Sequence, residues 1–158
     1  VATTTTTYEA IRGDQIAAIH AISPSLKSDV PFIADLAQVD FRAWAEKNPA
    51  ASLRRFCVVD LFDEDATEVS SYDVEDRRVR AEIVVAYPRV YAYGTDADRD
   101  RRDMMRADRI AIVNAAGLRG SGNIANASIY DQRVFSEEGD NVAFLVLEHS
   151  VFFWIDVS

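Results

Sequence analysis

Residues 54–62 read RRFCVVDLF, and both alternating sets of side chains in the run are apolar: Phe56, Val58 and Phe62 on one face, Cys57, Val59 and Leu61 on the other. Successive residues of a strand point to opposite faces, so this segment must be covered on both sides or lie near the centre of a sheet. A second run, Val79, Ala81, Ile83, Val85 and Tyr87, repeats with period two and ends at Pro88, with Arg80 and Glu82 opposite. The most apolar stretch is AFLVLEHSVFFWIDVS, residues 143–158. It follows a strand around Ile124 to Phe135 and the turn SEEGDN, which makes the last two strands a hairpin.

Helical spacing occupies three other segments. Tyr8, Ile11, Ile16, Ile19 and Ile22 fall on one arc of a helical wheel, capped by Thr7 and ended before Pro24. A second helix is expected from Asp35 to Asn48, with Leu36, Val39, Ala43 and Trp44 inward and Pro49 as its stop. A third follows YAYGTDA, with Thr95 or Asp96 as cap, acidic residues in its first turn and Gly117 just past its end. The expected fold is a single α+β domain over residues 1–158: a small antiparallel or mixed sheet with helices packed on it, in the order ααββαββ.

The chain of 158 residues is long enough to bury a core without crosslinks. Its 49% apolar and 27% charged residues are those of a globular protein. No run reaches the roughly 18 apolar residues of a membrane helix, and VATTTTTYEA has neither region of a signal peptide, so the expected compartment is the cytosol. The net charge of −9 argues against general affinity for nucleic acid, and no sequence-specific nucleic-acid binding is expected. Cys57 is the single cysteine; it is expected as a small core hydrophobe, and it removes both an intrachain disulfide and a Cys-based zinc site.

Several motifs resemble chemistry without completing it. Asp96, Asp98 and Asp100 open a calcium-loop pattern, but Arg101 stands where its glycine belongs and Ala107 where its last glutamate belongs. GLRGSG, residues 117–122, follows a helix and opens a strand, the reverse of a phosphate loop. Asp60, Asp63, Glu64 and Asp65 have no nearby histidine and read as solvated charge. Arg99, Arg101, Arg102, Arg106 and Arg109 alternate with acids, which reads as an exposed, ion-paired face or a subunit contact. His20 reads as a packed or surface residue. Glu148 and His149 are adjacent in a strand and so point to opposite faces; they are not a catalytic dyad. No metal, cofactor or catalytic residue is expected. The face carrying Glu148 and Ser150 turns apolar again at Phe152 and Trp154, as expected of a strand that leaves its own core to meet a neighbour.

Residues 63–78, DEDATEVSSYDVEDRR, separate two strands by more than connections usually measure, and are expected as a long mobile loop that becomes ordered in an assembly. The rival expectation is that Thr67 to Val74 extends the hairpin.

The layout of IRGDQIAAIHAI, RRFCVVDLF, VRAEIVVAYP, DRDRRDMMRADRIAIVNAAG and AFLVLEHSVFFWIDVS resembles that of the tail-terminator, or tail-completion, proteins of long-tailed bacteriophages. The resemblance is one of element order and size, with no diagnostic motif; the helix at 35–48 and the threonine lead-in depart from it. It implies a structural virion protein that assembles in the host cytoplasm as a ring, expected to be a homo-hexamer. The ring would sit in the neck, on the end of the tail-tube protein, stop tube growth and present a surface to the head–tail connector or another neck protein. Subunit or partner contacts are then expected from Asp63, Glu64, Asp65, Tyr72, Arg77, Arg78, Arg101, Arg102, Phe152 and Trp154. The alternatives are another neck or head-completion protein, a small acidic hydrolase using the acidic loops with His149, and a soluble binding module.

Overall fold

The computed structural model describes residues 8–35, 40–69, 74–89, 97–116 and 127–156. The fold is α+β. Its elements are α1 (Tyr8–His20), β1 (Ile33–Ala34), α2 (Phe41–Lys47), a 3-10 turn at Pro49–Ala51, β2 (Arg55–Val69), β3 (Val74–Pro88), α3 (Ala97–Ala116), β4 (Ala127–Glu138) and β5 (Val142–Asp156). One mixed five-stranded sheet has the order β1-β2-β3-β5-β4, parallel between β1 and β2 and antiparallel elsewhere.

The two-sided apolar strands are explained by helices on both faces. On one face Phe56, Val58, Ile83, Val85, Tyr87, Ala143, Leu145 and Leu147 pack with Ile19 of α1 and Met104, Met105 and Ile112 of α3. On the other, Cys57, Val84, Ala86, Val142, Phe144 and Val146 pack with Phe41 and Ala45 of α2. Phe41 meets Phe144 edge-on at 6.4 Å between ring centroids. Central strands β3 and β5 are therefore buried without alternation over 81–88 and 142–147.

The second helix is shorter than the sequence suggests. The Asp40 carboxylate accepts the Ala43 N–H at 3.2 Å and starts α2 at Phe41. Asp35, expected at its beginning, belongs to the extended segment instead: Ile33 and Ala34 pair with Arg55 and Phe56, and the Asp35 N–H donates to the Phe56 carbonyl at 2.7 Å. With that start, Phe41 and Ala45 face inward, Trp44 is half-buried and Ala43 is exposed. Leu36 and Val39 lie outside the described residues, as do the expected caps Thr7, Thr95, Asp96 and Gly117.

Residues 63–78 also differ from expectation. Asp63–Val69 and Val74–Arg78 are strand in β2 and β3, paired Asp65 with Arg78, Ala66 with Arg77 and Val69 with Glu75. The reason is a third strand: β5 runs on to Asp156 and pairs with β3 as far as Val74, so β3 is bonded along both edges. Residues 70–73 lie outside the described residues.

Candidate functional site

The sheet ends in two strand edges of different character. At one, β1 covers β2 only at Arg55 and Phe56, and no other described strand pairs with the outer edge of β2 up to Val69. Val59 is exposed there. The charged residues of β2 beyond Phe56 are Asp60, Asp63, Glu64, Asp65 and Glu68, all acidic. At the other edge stands β4.

Against β4 lies a cleft of about 590 Å³, lined on the helix side by Arg101, Arg102, Met105, Arg106 and Arg109 and on the sheet side by Val134, Phe135, Ser136, Glu138 and Leu145. Four guanidinium groups and one carboxylate therefore share one concavity in a chain of net charge −9. The floor is apolar. Low-dielectric walls focus the field of charges placed this way, so the cleft attracts acidic groups.

Arg101 is the buried arginine of this lining. The sequence placed it on an exposed face, but it is 1% exposed. The inward stripe of α3 is Arg101, Met104, Met105, Asp108 and Ile112, helical spacing in which two polar residues stand among apolar ones. One Arg101 Nη2 donates to Asp98 at 2.8 Å. Nη1 lies 3.6 Å from a Glu138 carboxylate oxygen, and among the described residues neither Nη1 nor Nε has a hydrogen-bond partner. Glu138 is itself shared with Arg89 at 3.7 Å. Arg102 is exposed, pairing with Asp98 at 3.3 Å, and Arg106 and Arg109 are exposed as well.

Of the other expected contact residues, Asp63, Glu64, Asp65, Arg77, Arg78, Phe152 and Trp154 lie in strands, and only their backbone pairing is described. The ladder puts Arg78 beside Asp65 on one side and Phe152 on the other, and Asp76 beside Trp154. Tyr72 lies outside the described residues.

Glu148 and His149 separate across the sheet. Glu148 is half-buried on the α2 side, opposite Glu82 in the ladder. Each carboxylate of this pair has its own arginine: Arg42 of α2 donates to Glu82 at 2.9 Å while also holding Glu137 at 2.8 Å, and Arg80 lies 3.8 Å from Glu148. His149 is fully buried on the α1 side, with its Nε2 accepting the Gln15 amide N–H at 2.7 Å. Burial lowers its pKa to about 4, against the opposing pull of the Leu147 backbone and with a smaller push from Arg80, so the ring is neutral at neutral pH. Sequence reasoning separated the pair correctly but had no signal for Gln15, a polar residue on an apolar helix face.

Among the described residues, no three His, Cys, Asp or Glu side chains are grouped to hold a metal ion, and no helix is long and apolar enough to cross a membrane. Asp98 and Asp100 are exposed in the first turn of α3. No protein-family model and no curated protein matches this chain.

Proposed function

We propose that this chain is a non-enzymatic assembly subunit that closes into a ring, in the manner of a phage tail terminator: the ring caps the end of a tail tube, stops its growth and presents a surface to the head connector. The observation that carries this reading is the reach of the sheet. β2 runs from Arg55 to Val69 and β5 from Val142 to Asp156, 15 residues each. From Val59 to Val69 alone that is roughly 33 Å of strand at about 3.3 Å per residue. Strands of this length, with different edges at the two ends of one sheet, suit repeated head-to-tail contact, and a head-to-tail contact whose rotation closes makes a ring.

The hydrolase alternative has less support. Its only named histidine is buried, neutral and turned away from Glu148. The neck position is tested by adding the purified chain to tubes polymerised from the tube protein of the same genome. Tube ends decorated by rings, with elongation arrested, are the expected result in electron microscopy. A chain that remains monomeric in light scattering and leaves tube growth unchanged would overturn the proposal.

A further inference from the structure

We infer that the arginine cleft between α3 and β4 receives the acidic outer edge of β2, residues 60–68, from a second copy of this chain. The inference rests on the ring reading and names its contact. Charge is the first argument. The cleft holds Arg101, Arg102, Arg106 and Arg109 against Glu138 and against Asp98, which pairs with Arg101 and Arg102, while residues 60–68, DLFDEDATE, carry five acids and no base. Chemistry of the floor is the second: Met105, Val134, Phe135 and Leu145 line it, and the same acidic run contains two apolar residues, Leu61 and Phe62, one of which can meet it, since neighbours in a strand take opposite faces. A bare phosphate would leave that floor uncovered. The third argument is the pair of unfilled donors on Arg101. Among the described residues the Nε and Nη1 of this buried cation have no hydrogen-bond acceptor, so its charge adds to the positive potential of the cleft, which a carboxylate at the cleft mouth offsets.

Topology makes the contact intermolecular. β2 and β4 are separated by β3 and β5, about 14 Å across three strand spacings, and they lie on opposite borders of the sheet. A subunit's own β2 edge therefore faces away from its own cleft. Each copy offers one acidic edge and one basic cleft, so every contact leaves one of each free, and the chain of contacts ends only when a ring closes.

Charge reversal tests this with the full chain. Arg106→Glu/Arg109→Glu and Asp63→Arg/Glu64→Arg/Asp65→Arg are made as two separate variants, the second leaving three bases in residues 60–68 against Asp60 and Glu68; the two cleft arginines are exposed, so circular dichroism of the first is expected to match the wild type. In size exclusion with light scattering, each variant alone is expected to fall from the ring mass to the 17.6 kDa monomer. An equimolar mixture is expected to regain the ring mass, because the reversed cleft then meets the reversed edge while the unchanged cleft meets the unchanged edge. Assembly persisting in the arginine variant would overturn the cleft contact and leave the ring reading standing. Arginine-variant monomers that the mixture does not rescue would overturn residues 60–68 as the occupant. A wild-type chain that is monomeric at all concentrations would overturn both readings.

Discussion

Arg54 and Asp108 form a bidentate ion pair inside the protein, Nε to Oδ2 at 2.8 Å and Nη2 to Oδ1 at 3.0 Å, with both side chains essentially without exposure. The remaining guanidinium donors go to the backbone carbonyls of Leu26, Lys27 and Val30, and Tyr87 donates its hydroxyl to Asp108 at 2.7 Å. All five N–H groups of Arg54 are thereby used, and its guanidinium also stacks over Phe32, 5.4 Å from the ring centroid. The Arg54 backbone adopts φ 55, a left-handed conformation that costs a non-glycine residue about 1 kcal/mol and is held by this network. Removing one partner strands the other charge, so Asp108→Ala is expected to cost about 3–5 kcal/mol in urea unfolding. Arg54→Lys should recover little of the network, since an ammonium lacks the planar fork. A loss below 1 kcal/mol for Asp108→Ala would show that the pair is dispensable.

His149 should give stability a dependence on pH. Its pKa is depressed from 6.5 to about 4 in the folded chain, so the unfolded chain binds the proton first on acidification. The contribution of the neutral ring is complete above pH 6.5, declines between pH 6.5 and 4, and does not change further below that. Its full size is roughly 3 kcal/mol. His149→Gln, which does not titrate, is expected to flatten this part of the stability profile; identical slopes in wild type and variant would contradict the assignment.

Cys57 should be inert in the native protein. Its thiol is buried in the α2-side core, and burial pushes its pKa up to about 12 despite the nearby Arg42. A thiol-reactive dye at pH 8 is expected to label it only as fast as the protein opens, and immediately in denaturant. Rapid stoichiometric labelling of the native chain would contradict that burial.

Gly139 turns β4 into β5 where space is restricted. Its N–H donates to the Val142 carbonyl at 2.8 Å, and a Cβ here would stand 2.8 Å from that carbonyl oxygen and 1.7 Å from a Glu46 carboxylate oxygen. Glu46 is held by the Asn141 N–H at 2.9 Å, so it cannot withdraw without loosening the tie between α2 and the turn. Gly139→Ala is expected to destabilise by about 1–3 kcal/mol, read as a lower Tm. An unchanged Tm would show that the turn relaxes freely.

The far half of the sheet should divide by edge. β3 from Val74 to Arg80 is bonded to β2 and to β5, whereas β2 in this region has shifts of register near Asp60, Phe62 and Ala66 and an outer edge without a described strand partner. Hydrogen exchange on the isolated subunit is expected to be slower for residues 74–80 than for 63–69. Equal, fast exchange in both would restore the mobile-loop expectation for 63–78.

Apolar patterning was enough to place strands within 54–62, 79–88 and 143–158 and, for the first, to demand cover on both faces, because strand geometry converts a local sequence directly into two surfaces. Helical spacing likewise placed α1, cap and first-turn chemistry placed α3, and the alternation rule separated Glu148 from His149. Each of these follows from residues close together in the chain. What the tertiary structure alone decided depends on residues far apart: the two-residue β1, created by Arg55 and Phe56 rather than by Ile33 and Ala34; the strand state of 63–69 and 74–78, maintained through the third strand β5; and the burial of Arg54, Arg101 and Asp108. A charged side chain reads as exposed from composition because desolvation opposes its burial, and only the assembled neighbours reveal how that cost is met. For Arg54 and Asp108 it is met inside the fold. For Arg101, whose cleft joins a helix face to an edge strand some thirty residues on, it is met only in part.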